Sequence, residues 1–246
     1  MQSESMLPAT WDVPQVFRDR IGSHVGRQRA MVADDHLLLV LHAPPKPDQD
    51  ERRGRFFWLK PDGNWTSNQL GSGPAAMKKH LDEYDKQIEE LEKMEEQAES
   101  SLAHFCVLEN LAPLQRAIRN LHVALQDARK QRPDVRALID MRDRAYDLER
   151  MAELLGAGTK NSLDFEIAKR SEEQAHASER MALSAHRLNL LAAFFFPLAT
   201  LTAVFGMEIR SGLEGSPEPH TFFVVICLGL IMGAFLMWYV RMRKQA

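Results

Sequence analysis

Glu208 is the first charged residue after an uncharged apolar run that ends in Gly206 and Met207. A carboxylate supplies oxygen ligands for a cation, and rings of Asp or Glu attract cations at the entrance of membrane pores. A carboxylate at the end of an apolar helix can also simply face solvent at a membrane surface. The residue types alone leave both interpretations of Glu208 open, so the surrounding elements must decide between them.

Two uncharged apolar segments, 188–207 and 222–240, lie before and after Glu208. Each has about the 20 apolar residues that an α-helix needs to cross a bilayer core of ~30 Å. The remainder of the chain carries nearly all of the charge, and the whole has 26% charged residues and a net charge of −3. Buried core helices of a soluble protein would normally show a polar stripe. The sequence therefore predicts two transmembrane helices.

Basic residues indicate how these two helices are oriented. Arginine and lysine precede the first helix and follow the second in a basic tail at 241–246, whereas the connecting loop at 208–221 has one arginine and three glutamates. The positive-inside rule places both termini in the cytoplasm and the loop outside. The N-terminal residues have neither the basic nor the apolar region of a signal peptide. We therefore expect a multi-pass protein of the inner or cell membrane.

Residues 1–73 predict a small α/β cytosolic domain. Turn residues at Asp34-Asp35 and at 61–63 each separate two short apolar runs, which is typical of antiparallel hairpins. The expected result is a short helix followed by a sheet of about four short strands. Such a sheet is too small to be very stable alone. We therefore expect it to pack on helices or on a neighbouring subunit.

Residues 74–187 predict a cytosolic helical hairpin followed by a stalk helix. We expect helices at about 75–101 and 111–131, and then a third that continues into the first transmembrane helix, because no proline occurs between Pro133 and Pro197. Steps of three and four residues are typical of a packed helix seam. The seam of the first helix is Leu81, Tyr84, Ile88, Leu91 and Met94. The seam of the third is Leu138, Met141, Ala145, Leu148, Ala152 and Leu155.

The third helix changes character along its length. Gly156 and Gly158 weaken it beside its seam. Residues 170–187 are then small and polar. That composition fits a bundle of identical helices around an aqueous axis, because small residues allow close approach while water fills the centre. A plain solvated helix fits the same residues equally well.

Together these features resemble the CorA-type divalent-cation channels. The resemblance is carried by two C-terminal spans, a long helix leading into the first, and Pro197-Leu198 nine residues before Gly206-Met207. It implies an α-helical membrane protein with a small α/β cytosolic domain. It also implies a homopentamer in the lipid bilayer, whose stalk helix is continuous with the first transmembrane helix and lines the pore. In that family the first span ends in Gly-Met-Asn, and here Glu208 replaces the asparagine.

The resemblance also implies which residues form the site. Gly206, Met207 and Glu208 would form the selectivity ring at the outer pore mouth, with Glu208 as the metal ligand. Phe196, at the position of the family's gate methionine, and Leu188 would be hydrophobic constrictions that close by dewetting. The ion, transported or regulatory, would be Mg²⁺ or Zn²⁺, with no tightly bound cofactor. The pore-lining face, in steps of three and four, would be Ala182, Ala185, Leu188, Ala192, Phe196 and Ala199.

Three further features bear on metal binding and packing. The acidic stretch 82–99, with nine carboxylates and two lysines, is either a solvated helix face or, as in the family, a regulatory divalent-cation site. His176 and His186, ten residues apart, cannot chelate a metal within one chain, although a ring of His186 around the axis could bind zinc. Gly229 and Gly233, four residues apart in the second span, allow close helix packing.

Other functions find less support in the sequence. It has no Gly-rich phosphate loop, nucleophile elbow or metal-ligand spacing, so we do not expect an enzyme. The soluble part shows no basic patch, so we do not expect a nucleic-acid partner. Cys106 and Cys227 are interpreted as packing residues in a reducing compartment. A divalent-cation channel or transporter is favoured. The alternatives are a zinc or proton-coupled transporter of the same fold and a non-conducting CorA-like receptor or scaffold.

Overall fold

The computed structural model describes residues 6–46, 53–206 and 218–242 of the chain. It divides into two compact units, Met1–Ala168 (unit 1) and Lys169–Ala246 (unit 2). Unit 1 is built from a sheet and helices, and unit 2 is entirely helical over its described residues. The elements are α1 (Gln15–Asp19), β1 (Arg29–Ala33), β2 (His36–His42), β3 (Gly54–Leu59), β4 (Trp65–Ser67), α2 (Pro74–Glu96), α3 (Ser101–Gln131), α4 (Ala137–Gly206) and α5 (Glu218–Met242).

Unit 1 contains a four-stranded antiparallel sheet in the order β1-β2-β3-β4. Asp34 and Asp35 join β1 to β2 with φ angles of 48° and 60°, the left-handed geometry of a tight hairpin turn, which short polar side chains tolerate. The turn between β3 and β4 is closed by a 3.0 Å hydrogen bond from the Lys60 N–H to the Asn64 carbonyl. The predicted small antiparallel sheet and both of its hairpins are confirmed.

Both faces of the sheet are buried. Along β2, Leu37, Leu39 and Leu41 pack into a core shared with α2, α3 and the first part of α4. Leu38 and Val40 point the other way, into a second cluster formed with α1 and the chain around it. A strand buried on both sides needs a continuous apolar run rather than an alternating one, and this run is LLLVL. The expectation that the sheet packs on the helices is confirmed.

The helices of unit 1 pack through the seams predicted for them. Met94 is the exception, since it is 44% exposed in the last turn of α2, and its predicted place in the seam is wrong. Leu155, at the end of the other seam, is only partly buried. The remaining seam residues are all buried in one core: Leu81, Tyr84, Ile88, Leu91, Leu138, Met141, Ala145, Leu148 and Ala152.

The boundaries of α2 and α3 correct the predicted helices at 75–101 and 111–131. Helix α2 ends at Glu96, and α3 already begins at Ser101. Ser100 explains the early start, because its hydroxyl oxygen accepts a 3.2 Å hydrogen bond from the Ala103 N–H. This is the N-cap interaction that satisfies a free donor in the first turn of a helix.

Pro113 consequently lies inside α3 rather than near its start. A proline removes one backbone hydrogen bond from a helix interior. The neighbouring Leu111 and Leu114 are both buried in the core of unit 1. Burial of these side chains stabilises the helix enough to continue through the proline.

Unit 2 contains the second part of α4 together with α5. Helix α4 is one helix from Ala137 to Gly206, which confirms that the stalk continues into the first apolar segment. It is long and apolar enough to cross a membrane, and within the described residues a shorter apolar helix covers Ile226–Tyr239. Residues 207–217 and 243–246 lie outside the described structure. The domain boundaries given from the sequence stay predictions.

Candidate functional site

The predicted selectivity ring lies at the edge of the described structure. Gly206 is the last residue of α4. Met207 and Glu208 lie outside the described residues. The role of Glu208 as a metal ligand at a pore mouth therefore stays a prediction.

The predicted pore-lining residues lie on an exposed face of α4. Leu188 is 67% exposed and Phe196 is 72% exposed. The alanines at positions 182, 185, 192 and 199 are exposed as well. Pro197, directly after Phe196, is instead buried. The two sides of this segment of α4 thus have different surroundings.

Helix α5 packs on the other side of α4. A Cβ atom added to Gly229 would come within 2.9 Å of the Leu198 Cδ1 atom, and one added to Gly233 would collide with the backbone oxygen of Phe194. Successive helix residues are rotated by about 100°. Phe196, two residues from both Phe194 and Leu198, therefore projects from roughly the opposite side. The predicted packing role of the two glycines is confirmed, and the described part of α5 leaves the predicted pore face uncovered.

From residue 188 onward, the exposed surface of the described part of unit 2 is largely apolar. Large side chains of both helices are more than half exposed. Continuous apolar surface is unfavourable in water and marks a membrane or protein contact. Besides Leu188 and Phe196, the side chains that are more than half exposed include Leu191, Phe195, Phe223, Val224, Ile231 and Phe235.

Two hydroxyl groups in this segment are satisfied within the helix itself. The Thr200 hydroxyl donates to the Phe196 carbonyl at 2.8 Å, and the Thr202 hydroxyl donates to the Leu198 carbonyl at 3.0 Å. Polar groups in an apolar surrounding need such internal partners, because no water is there to replace them. Both threonines are therefore compatible with a membrane position.

The stalk histidines make only local contacts in one chain. His176 lies 3.9 Å from Glu172 and 4.0 Å from Glu179 of the same helix. Across the part of the chain that the structure describes, no three His, Cys, Asp or Glu side chains are grouped so that they could hold a metal ion. A zinc ring of His186 would need several copies of the chain and stays a prediction.

Part of the acidic stretch 82–99 stabilises unit 1. Glu83 forms a 2.7 Å ion pair with Arg55, and Asp85 forms one with Arg144. These contacts join α2 to the sheet and to α4. The other carboxylates of the stretch keep both interpretations, a solvated face or a regulatory cation site.

His80 occupies the interior of unit 1 beside Arg55. It is fully buried, and the Arg55 guanidinium donates to its Nδ1 atom at 3.1 Å. Burial, and then the charges of Arg55 and His42, lower the pKa of His80 to about 3. The neutral imidazole leaves its Nε2 atom without a partner among the described residues. Burial also raises the pKa of the neighbouring Tyr84.

The prediction that the soluble part has no basic patch is wrong. A groove of about 1060 Å³ in unit 1 is lined by seven cationic and two acidic side chains. No local sequence signal announces it, because the cationic residues are spread over more than ninety positions and five elements or loops. We call it the basic groove. Its cationic residues are Arg27, Lys46, Arg53, Arg55, Lys86, Arg116 and Arg119.

Comparison with known proteins identifies the fold. No protein-family model and no curated protein matches the sequence. The structure is similar to full-length CmaX, with a TM-score of 0.58 and 16% identity over 97% of this chain and 83% of that one. It is also similar to the cytoplasmic domain of ZntB from Vibrio parahaemolyticus, with a TM-score of 0.52 and 14% identity over 65% of this chain and 80% of that one.

A third similar structure is the CorA magnesium transporter from Methanocaldococcus jannaschii, with a TM-score of 0.46 and 14% identity over 87% of this chain and 78% of that one. That score is too low to carry an argument. The resemblance stated from the sequence is confirmed at the level of the fold, and the Gly-Met-Glu variant of the motif stays a prediction. The chain is mostly helical over its described residues, with a small antiparallel sheet and one long apolar helix.

Proposed function

We propose that the chain forms an oligomeric membrane channel or transporter for cations, and that these cations are divalent metals, Mg²⁺ or Zn²⁺. The proposed assembly is a homopentamer in the inner or cell membrane. Both termini are cytoplasmic, and α4 and α5 cross the bilayer. The CorA-type fold supports this function.

One observation carries the proposal. The apolar second part of α4 packs on α5 through one side only, while the side with Leu188 and Phe196 stays exposed. Any two-helix hairpin leaves one side of each helix free, and the free side of α4 carries the predicted constriction residues Leu188 and Phe196. An assembly around a central axis uses such a side for the neighbouring copies and the pore, and the other side for α5.

The proposed pore narrows at two hydrophobic positions. Four alanines on the same face leave room for water, and rings of Leu188 and Phe196 close the channel when they dewet. The small and polar stretch 170–187 continues this path towards the cytosol. Every residue of the proposed lining is exposed in the single chain. A pore-lining residue must be exposed in this way, because the other side of the pore is formed by neighbouring copies.

Glu208 gives the proposed pore an acidic mouth. A ring of carboxylates concentrates cations near it and excludes anions, because like-signed charges on a narrow entrance focus the field. The family's asparagine offers a neutral oxygen at this position, whereas Glu208 adds a full charge. The ring must still release the ion, since conduction requires binding weak enough for the ion to leave.

Ion flux into proteoliposomes tests the proposal. We expect the purified chain to pass Mg²⁺ or Zn²⁺ faster than Na⁺. Glu208→Ala should lower divalent flux about tenfold or more, because the field at the entrance is lost. Glu208→Asn should retain more flux than Glu208→Ala, since an amide oxygen remains.

Glu218→Gln is the matched control, because it removes one negative charge ten residues further along the sequence, outside the Gly206–Glu208 motif. Its divalent flux should stay within about twofold of that of the unaltered chain. Divalent flux unchanged in both Glu208 variants would reject Glu208 as the filter. No flux of any ion would favour the alternative, a non-conducting receptor or scaffold.

A further inference from the structure

The basic groove lies between the sheet and the helices of unit 1. The end of β2 and the segment after it, from His42 to Lys46, form one side of the lining, and residues of α2 and α3 form another. Its volume of about 1060 Å³ is slightly above the roughly 300–1,000 Å³ typical of small-molecule sites. The groove belongs entirely to unit 1 and is separate from the proposed pore.

Three of its seven cationic side chains already have acidic partners. Arg55, whose side chain is 11% exposed, pairs with Glu83 at 2.7 Å. Arg119 pairs with Glu149 and Glu153 of α4, outside the groove. Lys86 lies 3.9 Å from Glu90. The two carboxylates in the lining, Glu83 and Glu90, are thus both engaged by cations of the same groove.

The other four cationic side chains have no acidic partner within the described residues. They are all exposed and come from three different parts of the chain: the segment before β1, the connection between β2 and β3, and α3. The Arg116 Nε atom donates only to the Ala112 carbonyl, at 3.3 Å. In a chain with a net charge of −3, this concentration of unpaired positive charge faces one cavity. These four residues are Arg27, Lys46, Arg53 and Arg116.

Hydrogen bonds hold the walls of the groove in place. Gln28 is 7% exposed, and its side-chain amide donates to the Ala117 carbonyl at 2.8 Å while its oxygen accepts from the His42 N–H at 3.3 Å. The Tyr84 hydroxyl donates to the His42 carbonyl at 2.9 Å, and the His42 Nε2 donates to the Gly26 carbonyl at 2.9 Å. A site fixed in this way loses little conformational freedom when it binds a ligand.

We infer that the basic groove binds a small soluble polyanion that carries two or more phosphate groups. Three of the four unpaired cations are arginines, whose planar guanidinium groups match phosphate oxygens in pairs. A chain of phosphates can contact more of these four cations at once than a single phosphate can. Pro44, Pro45 and Pro113 add apolar lining for an organic part such as a nucleoside. This inference does not depend on the proposed transport function.

Titration of the full-length protein in nanodiscs tests the inference. We expect ATP and pyrophosphate, each in the presence of a metal chelator, to bind more tightly than inorganic phosphate. The double variant Arg27→Glu/Arg116→Glu should weaken ATP binding about tenfold or more, since two charge-assisted contacts are lost. The milder Arg27→Gln/Arg116→Gln should weaken it less. Both positions are exposed, and an unchanged melting temperature verifies the fold of each variant.

Lys78→Glu/Lys79→Glu is the matched control, because it changes the net charge equally at two exposed positions of α2 outside the groove. We expect its ATP affinity to stay within about threefold of that of the unaltered chain. An equal loss in both double variants would overturn the inference, as would no binding of ATP and pyrophosphate. Tighter binding of a single-stranded oligonucleotide than of ATP and pyrophosphate would also overturn the inference. So would tighter binding of vesicles with phosphoinositide headgroups than of these free phosphates.

Discussion

The backbone oxygen of Phe194 in α4 lies where a Cβ atom on Gly233 in α5 would project. No side chain separates the two helices at this point, so their backbones meet as closely as small residues permit in membrane helix pairs. This contact fixes which side of α4 belongs to α5. It thereby leaves Phe196 on the side that we propose for the pore.

Gly233→Ala should separate α4 from α5. The added Cβ would collide with a backbone oxygen, which cannot move aside as the end of a side chain can. We expect the substitution to lower the free energy of unfolding by about 1–3 kcal/mol, the usual cost of overpacking. The measurement is the melting temperature in detergent, which should fall. Gly229→Ala should cost less, because its Cβ meets the flexible end of Leu198 at 2.9 Å. Equal melting temperatures for Gly233→Ala and the unaltered chain would show that this contact does not form.

Gly156 and Gly158 should respond differently to alanine. A Cβ atom added at Gly158 would have no atom within 4 Å. Gly158→Ala should therefore raise the free energy of unfolding by about 0.5–1 kcal/mol, because alanine favours the helix more than glycine does. A Cβ at Gly156 would lie 2.5 Å from the Gln115 Nε2 atom, which donates to the Ala152 carbonyl at 2.7 Å. We expect Gly156→Ala to lose that hydrogen bond and to be the less stable variant in thermal unfolding. Equal stabilisation by both substitutions would contradict this packing.

His80 should make unit 1 sensitive to acid. Its pKa is about 3 in the folded chain against an ordinary value of 6.5, so between these two pH values the unfolded chain binds a proton that the folded chain excludes. Stability should be constant above about pH 6.5 and fall below it, by up to ~1.4 kcal/mol per pH unit. His80→Phe should reduce this slope in unfolding measurements at pH 7.5, 6 and 5. The same slope with and without His80 would disprove its role.

Phe196 should limit ion flow, because the Phe196 side chains of all copies together form the proposed hydrophobic constriction. Phe196→Ser should hydrate the constriction and raise divalent flux about tenfold, which corresponds to a barrier lower by ~1.4 kcal/mol. Phe195→Ser is the matched control, because Phe195 is also exposed, at 55%, but lies one residue off the predicted pore face. Flux that rises equally in both variants would place the constriction elsewhere.

The sequence predicts those structural features that depend on residues close to one another along the chain. The hairpin at Asp34-Asp35 follows from local backbone preference, and the Leu138 to Ala152 seam follows from helix periodicity. The start of α3 was missed because one cap, Ser100, and the packing around Pro113 outweigh the helix-breaking tendency of proline. These are tertiary effects that a single stretch of sequence does not display.

The basic groove could not be predicted from the sequence for a related reason. Arg27 and Arg116 are 89 positions apart in the sequence. They line the same groove because the side chain of Gln28, next to Arg27, is hydrogen-bonded to Ala117 of α3, next to Arg116. A count of charges over consecutive residues does not detect a positive cluster formed by residues that are far apart in the sequence. The pore face, in contrast, was predicted by resemblance, and its exposure in the single chain is what the structure adds.

The mass of the intact protein in nanodiscs tests the central claim most directly. One chain has a mass of 28.1 kDa. The account predicts a single symmetric species with five times the mass of one chain. A particle that contains only one chain would contradict it, because the exposed face of α4 would then have no neighbouring copies and no pore to line.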